Sequence, residues 1–469
     1  LTIGDNAQFV NNTAAVSGIG NGGALYAFAS GSDLPWTIGD NAQFVNNTAA
    51  VSGEGESQGG VIWVLASSSH FKLSISKNAS FLQNSAANGG IGYFRQSNAT
   101  FNISIGENAD FISDGGSGFR IAASSSQGAS FSIRENSIIE NYKSFMSISL
   151  FEQSALALNI SDAKAVDCEN CISLESFDSS GMNVSILNAT FVGIINYALS
   201  VLGAGAGYQA DNMHINMVSS SFAGTSGASA ILGTASNAGN ISIAAVDCDF
   251  ASFSSPSDGG AIQVIAVAES TLSVDVINCR FNDTAALDGT NGGSIASTCF
   301  SSSCSLNISD TSFQNANATL GGAVAMLDDG GSNCTMSIRK SEFKDCLATS
   351  GGGAIYSKRV KALNVTSTSF VTNRAASKGN SETSGGAIFV IGPGPLYINS
   401  CDFNGNKASS GGAIAMSDSV TSVLDTTTFS NNRAITGNGG AIGVTGTGNA
   451  ITFENECTLN GNHAALSGG

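Results

Sequence analysis

Residues 2–18 read TIGDNAQFVNNTAAVSG, and the same string returns unchanged at 37–53. Self-similarity at a fixed spacing marks a repeat architecture, in which each unit buries its apolar face only against its neighbours. Two landmarks carry the repeat through the 469 residues. The first is an aromatic step, Ile/Val-x-x-x-x-Phe-x-x-Asn-x-Ala. It is clear at Phe9 with Asn12, Phe44 with Asn47, Phe81 with Asn84, Phe370 with Asn373, Phe403 with Asn406 and Phe429 with Asn432. Looser copies centre on Phe111, Phe191, Phe222, Phe250, Phe281, Phe313 and Phe343. Ile138 with Asn141, and Leu459 with Asn462, read as degenerate copies. The second landmark is Gly-Gly-Ala-Ile or a close variant. It opens at Gly22, Gly59, Gly89, Gly259, Gly292, Gly321, Gly352, Gly385, Gly411 and Gly439.

Within a repeat the pattern is that of strands. In Ala362–Phe370, Leu363, Val365 and Phe370 are apolar among small polar residues, and a short apolar run, Ala387–Ile391, follows the glycines at 385 and 386. Period-two alternation and short apolar runs bounded by Gly, Asn and Ser are strand signals, and no two-residue hairpin turn recurs. The spacing therefore predicts an all-β parallel β-helix, or solenoid, of about 16 coils of about 30 residues, with one weak turn near Cys168–Cys171. Stacked coils place Phe on Phe inside, as a structural ladder, and Asn on Asn at a corner. The paired glycines suit a corner that needs positive φ and close backbone approach. The organisation expected is one continuous solenoid over 1–469. Repeats are regular over 1–114, diverged over 115–250, where Gly-Gly-Ala disappears, and regular again over 251–469. The chain reads as a segment of a longer protein.

Composition narrows the class. Charged residues are 11% and hydrophobic residues 42%, with 57 Gly and 4 Pro. A soluble domain usually carries about 25% charged residues, whereas disorder needs low hydrophobicity with high net charge. The net charge of −17 argues against a nucleic-acid partner, which wants a basic face. No apolar run is long enough for a transmembrane helix, so no direct membrane span is expected in this segment.

The alternation of Phe-x-x-Asn with Gly-Gly-Ala-Ile resembles the polymorphic outer-membrane protein repeat, which typifies chlamydial autotransporter adhesins and occurs in large surface proteins of algae and protists. The resemblance covers 1–112 and 258–469. It implies a right-handed parallel β-helix, exposure at a cell surface, and an adhesive or structural role.

Residues that could carry chemistry are few. Cys248 and Cys279 precede Phe250 and Phe281 by two residues and so occupy one site on neighbouring coils. Cys401 and Cys457 share that register two coils apart, and Cys299 and Cys304 flank a Ser-rich loop. Cys168, Cys171, Cys334 and Cys346 complete the ten. Without His nearby and with irregular spacing, disulfides in an oxidising compartment are expected ahead of buried free thiols, and both ahead of zinc or redox chemistry. Asn-x-Ser/Thr sequons stand at Asn11, Asn46, Asn78, Asn98, Asn102, Asn159, Asn183, Asn188, Asn240, Asn282, Asn307, Asn317, Asn333 and Asn364. Exposed ones are glycosylation candidates in a secreted protein. Asn102 and Asn183 read as outward-facing, and Asn11 and Asn46 as hidden by stacking. His70, His214 and His463 are isolated, so no catalytic triad is expected. Arg339, Lys340, Lys344, Lys358, Arg359 and Lys361 read as a solvated face or inter-subunit contact, ahead of a site for an anionic glycan. Asp328-Asp329-Gly330-Gly331 and Asp288-Gly-Thr-Asn291-Gly match no calcium loop, and the run from Gly203 to Gly207 lacks the Lys of a phosphate loop. No cofactor is expected.

The function expected is a non-enzymatic extracellular structural protein: a β-helical rod of a surface layer or self-assembling filament, glycosylated and disulfide-bonded. Its partners would be further copies, other surface proteins, or glycans. The first alternative is a cell-surface adhesin, with Ser67–His70, Ser124–Gln127 and Lys378–Ser384 as candidate binding loops. The second is a β-helix enzyme acting on polysaccharides, which needs an acidic cluster in a groove.

Overall fold

The computed structural model describes residues 1–14, 20–49, 57–126, 128–178, 180–205, 212–287, 289–329, 331–376 and 384–468. Among them there is no helix; every regular element is a short strand, and the strand pairs are parallel and in register with the next coil (for example Phe370↔Phe403 and Phe403↔Phe429), apart from a slip between Ala318 and Leu320 where Asn317–Leu320 meets Leu347–Gly351. The chain is thus a parallel β-solenoid, as the repeat predicts. It divides into two compact units, one of Leu1–Phe222 with Ser236–Ile241, the other of Ala223–Ala235 with Ser242–Gly469.

In the second unit one coil runs Ile388–Ile391, Pro395–Asn399, Asp402–Asn404, Lys407–Ala408. Each strand lies on its counterpart one coil away, building three long sheets and a fourth of two- to five-residue strands. Inward positions alternate with outward ones: Leu396 and Ile398 are buried while Tyr397 between them is 47% exposed. Both sheet faces of a solenoid cannot be wet, because the inner faces close on one another. Hence the inward columns are mostly Ile, Val, Leu, Phe and Ala, with Met, Cys and a minority of buried Ser, Thr and Asn.

The Phe column is the core's axis. Rings of Phe250, Phe281, Phe313, Phe343, Phe370, Phe403 and Phe429 stack with centroids 4.6–5.1 Å apart, within 10° of parallel. That distance is the strand spacing itself, about 4.8 Å, so the backbone ladder dictates the ring stack. Each residue three positions after the Phe turns inward at a corner. There Asn373, Asn406 and Asn432 are fully buried. Asn406 shows the unit of the ladder. Its Nδ2 donates to the Phe370 carbonyl at 2.9 Å and to Asn432 Oδ1 at 3.0 Å. Its Oδ1 accepts from the Asn373 amide and Asn373 Nδ2, both at 3.0 Å. A buried polar column survives because every member is satisfied.

The Gly-Gly-Ala-Ile landmark has a two-part cause. Gly411 takes φ +61°. Gly412 has an ordinary φ but no room, since a Cβ there would overlap the Gly440 carbonyl oxygen one coil on and the Arg433 backbone. Ala413 and Ile414 then enter the core, both fully buried.

The first unit uses the same coil where its repeats are regular. Phe9, Phe44, Phe81 and Phe111 stack at 4.9–5.2 Å, and Asn47 Nδ2 donates to Asn84 Oδ1 at 2.9 Å. Over the diverged repeats two things change. Ile139 and Ala165 replace the rings between Phe111 and Phe191. The degenerate step is therefore Ile139, not Ile138, which points outward at 39% exposure. Phe145 leans into the space, edge-on to Phe111 at 5.4 Å. Second, the coil is shorter. Lys164–Val166 passes through only Asp167–Glu169 before Asn170–Phe177 begins, with no fourth strand.

Candidate functional site

The sequons fall mostly in the open. Thirteen of the fourteen asparagines are exposed and Asn240 is half-buried. Asn102, Asn159, Asn183, Asn307, Asn333 and Asn364 stand at outward positions of one sheet in their respective units. Asn11 and Asn46 are also exposed, which corrects the expectation that stacking hides them. They precede the ladder asparagine and hold φ of 53° and 55°. That conformation suits Asn and Gly and turns the side chain outward. The neighbouring Asn12 and Asn47, not the sequon residues, point in. Asn78 and Asn188 sit at the opposite corner. There Asn78 Nδ2 donates to Asn41 Oδ1 at 2.9 Å and Asn188 Nδ2 to Asp162 Oδ1 at 2.5 Å.

Of the ten cysteines, Cys299 and Cys304 are joined by a disulfide across the Ser-rich loop. Cys168, Cys171, Cys248, Cys279, Cys334, Cys346 and Cys401 are buried thiols and Cys457 a half-buried one. Most of these serve as rungs. Two residues before the Phe, each coil turns a small side chain inward to accept the amide of the coil before. The Cys248 amide donates to Cys279 Sγ at 3.4 Å, the Cys279 amide to Thr311 Oγ1 at 3.3 Å, and the Thr311 amide to Ser341 Oγ at 3.2 Å. Cys168 and Cys346 take the Asn-ladder position, and the Cys346 amide still donates to Asn373 Oδ1 at 3.1 Å. Burial pushes the Cys334 and Cys346 thiols up to about 12 and Cys401 to about 11. The sulfurs of Cys299, Cys304 and Cys334 lie within 4.8 Å of one another, the one group of three metal-type donors among the described residues. Two of its three sulfurs are already spent on the disulfide.

The other singled-out residues do not converge. His70 bonds the Thr100 hydroxyl, and His214 and His463 lie on other coils. The six cations of 339–361 are distributed along the coil: Arg339 ends one strand and Lys340 follows it, Lys344 ends the next, Lys358 ends a third, and Arg359 and Lys361 lie between that one and the strand Ala362–Thr366. Asp288, Gly330, Ala206, Gly207, Gln127 and residues 378–383 lie outside the described residues.

The residues that do gather were not singled out by sequence. Where the diverged coils lose their fourth strand, two open recesses meet at Gly115 and Lys143. One, of about 530 Å³, is lined by Asn88, Arg120, Lys143, Ser147, Asn170 and Ser173. Arg120 Nη1 donates to Asn88 Oδ1 at 2.9 Å. The other, of about 450 Å³, is lined by Asp114, Tyr142, Lys143, Asp167, Glu169 and Ile195. Glu169 Oε1 accepts from Asn196 Nδ2 at 3.1 Å. Tyr142 is 3% exposed, its ring edge-on to Phe145 at 5.3 Å. Burial first, then Cys168 and Asp114, holds its hydroxyl well above its usual value, so it stays protonated. The available sequence signal was the disappearance of Gly-Gly-Ala over 115–250.

Residues 400–417 and 426–445 match the Chlamydia polymorphic membrane protein repeat. These segments contain the aromatic steps of Phe403 and Phe429 and the glycine pairs at Gly411 and Gly439. No curated protein matches the chain. Among solved structures, it is similar to the catalytic domain of a GH87 α-1,3-glucanase in complex with nigerose. The identity is 11% and the TM-score 0.29, over 92% of this chain and 63% of that one. The chain thus spans less than two thirds of that structure's length.

Proposed function

We propose that this chain is a non-enzymatic, glycosylated structural protein of a cell surface. The observation that carries the reading is the matched polymorphic membrane protein repeat at 400–417 and 426–445, set in coils whose landmarks are all consumed by stacking. Phe403, Asn406, Gly412 and Ile414 each have a packing role and none is left to perform chemistry. The outward sequons support glycosylation. Sugars at these exposed positions would extend away from the sheets without disturbing an inward column. Small polar outward residues and a net charge of −17 favour a hydrated, mutually repelling surface. Other copies, surface proteins and glycans are the partners this reading calls for.

Immunolabelling tests it. Antibodies raised against the purified chain should label intact cells of the source organism, and glycosidase treatment should sharpen and speed its gel band. Label that appears only after permeabilisation would overturn the surface assignment.

A further inference from the structure

The diverged segment has no role in the surface reading above, and it is where the first unit opens. Its coils keep the core columns but drop the corner strand, and the space left is the double recess around Lys143. A coil shortened merely by drift would leave a shallow notch of satisfied groups. This one leaves Tyr142, which is 3% exposed and lines the acidic recess; its backbone carbonyl accepts from the Glu169 amide at 2.9 Å, but its hydroxyl makes no hydrogen bond to a described residue. The hydroxyl opens onto the recess, where a ligand can supply its partner.

We infer that this recess binds a neutral glycan, with Tyr142, Asp114, Asp167, Glu169 and Lys143 as its hydrogen-bonding set. The chemistry selects the class. Asp114, Asp167 and Glu169, which line the recess, offer only acceptors, while Tyr142 and Lys143 offer donors. A ligand group meeting both must donate and accept at once, which is what a sugar hydroxyl does. Ile195, 47% exposed on the same wall, gives the apolar C–H edge of a pyranose a surface to rest on. A polyanion would face three carboxylates. A bare cation would need their oxygens to converge. Among the described residues no such convergence of carboxylates occurs, and the Lys143 side chain shares the recess. The adjoining recess continues the polar lining through Arg120, Asn170 and Ser173, so a chain of several residues has room; each recess alone is within the usual range of about 300–1,000 Å³ for ligand sites.

The test is titration calorimetry on the full chain with laminaripentaose, cellopentaose, maltopentaose and mannopentaose, and with tri-galacturonate and calcium chloride as comparators. At least one neutral oligosaccharide should bind. Tyr142→Phe and Asp167→Asn, each with the parent circular dichroism, should each weaken it about tenfold, the loss of one buried hydrogen bond. Asn364→Gln, on the other unit, should leave it unchanged. Absence of binding by every neutral sugar, binding of calcium or tri-galacturonate alone, or full affinity in both recess variants would overturn the inference. The surface-labelling result is independent of all of these.

Discussion

Asn406 illustrates how single residues hold this fold. Its amide group makes two bonds as donor and receives two as acceptor, all inside the coil stack. Asn406→Ala would strand the Phe370 carbonyl, the Asn373 backbone amide and one Asn373 Nδ2 hydrogen, while Asn432 Oδ1 keeps the backbone amide of residue 406 at 2.9 Å. Each buried orphan costs about 1–3 kcal/mol, so chemical denaturation should report a loss of at least about 3 kcal/mol. A loss of a few tenths would mean water reaches that corner. The buried thiols give a second residue-scale expectation. Burial raises Cys334, Cys346 and Cys401 from 9.0 to about 12, 12 and 11. Between those values the folded chain holds protons that the unfolded chain has released. Their contribution to stability is therefore complete below about pH 8.5 and declines as pH climbs toward 11–12. Unfolding midpoints measured from pH 8 to 11 should fall, and Cys401→Ser should flatten the curve.

At the scale of the coil, strand and corner specify each other. The Gly412 carbon faces the Gly440 carbonyl and the Arg433 backbone without space for a methyl group. Gly412→Ala must push two coils apart, and overpacking of this kind costs about 1–3 kcal/mol or more. Gly437→Ala also meets close neighbours, but the nearest is the Ser410 hydroxyl, which can rotate away. Thermal melts of the two variants should differ in that order. Much of the coil was legible in the sequence. Phe-x-x-Asn marked the core column and the ladder because both side chains stack on themselves, so identity repeats with the period. What could not be read was whatever the repeat replaces. Ile139 and Ala165 hold ring positions with no ring, Cys346 and Cys168 hold an Asn position, and Thr311, Ser341 and Cys279 share one rung position. Stacking fixes the site and tolerates any side chain of suitable size there. The sequon residues Asn11 and Asn46 were misplaced because their left-handed backbone, not the alternation, sets their direction. The recess was missed because it is made by an absent strand, and its Asp114, Tyr142 and Glu169 are brought together only by coil-to-coil stacking.

Both units are made from one device: a coil that cannot close its own core and therefore requires its neighbours. This explains a composition of few charges, many small residues and regular aromatics, and it explains how fold could be legible while function was not. The landmarks, which match the polymorphic membrane protein repeat at 400–417 and 426–445, are spent on stacking, and no landmark constrains the outward residues that a partner or ligand would meet. Everything therefore turns on adjacent repeats lying in register. An experimental density map of the purified chain measures this most directly, at the rings of Phe343, Phe370, Phe403 and Phe429. The account requires successive centroids 4.6–5.1 Å apart in one column. Rings separated by tens of ångströms, or helices between them, would contradict it.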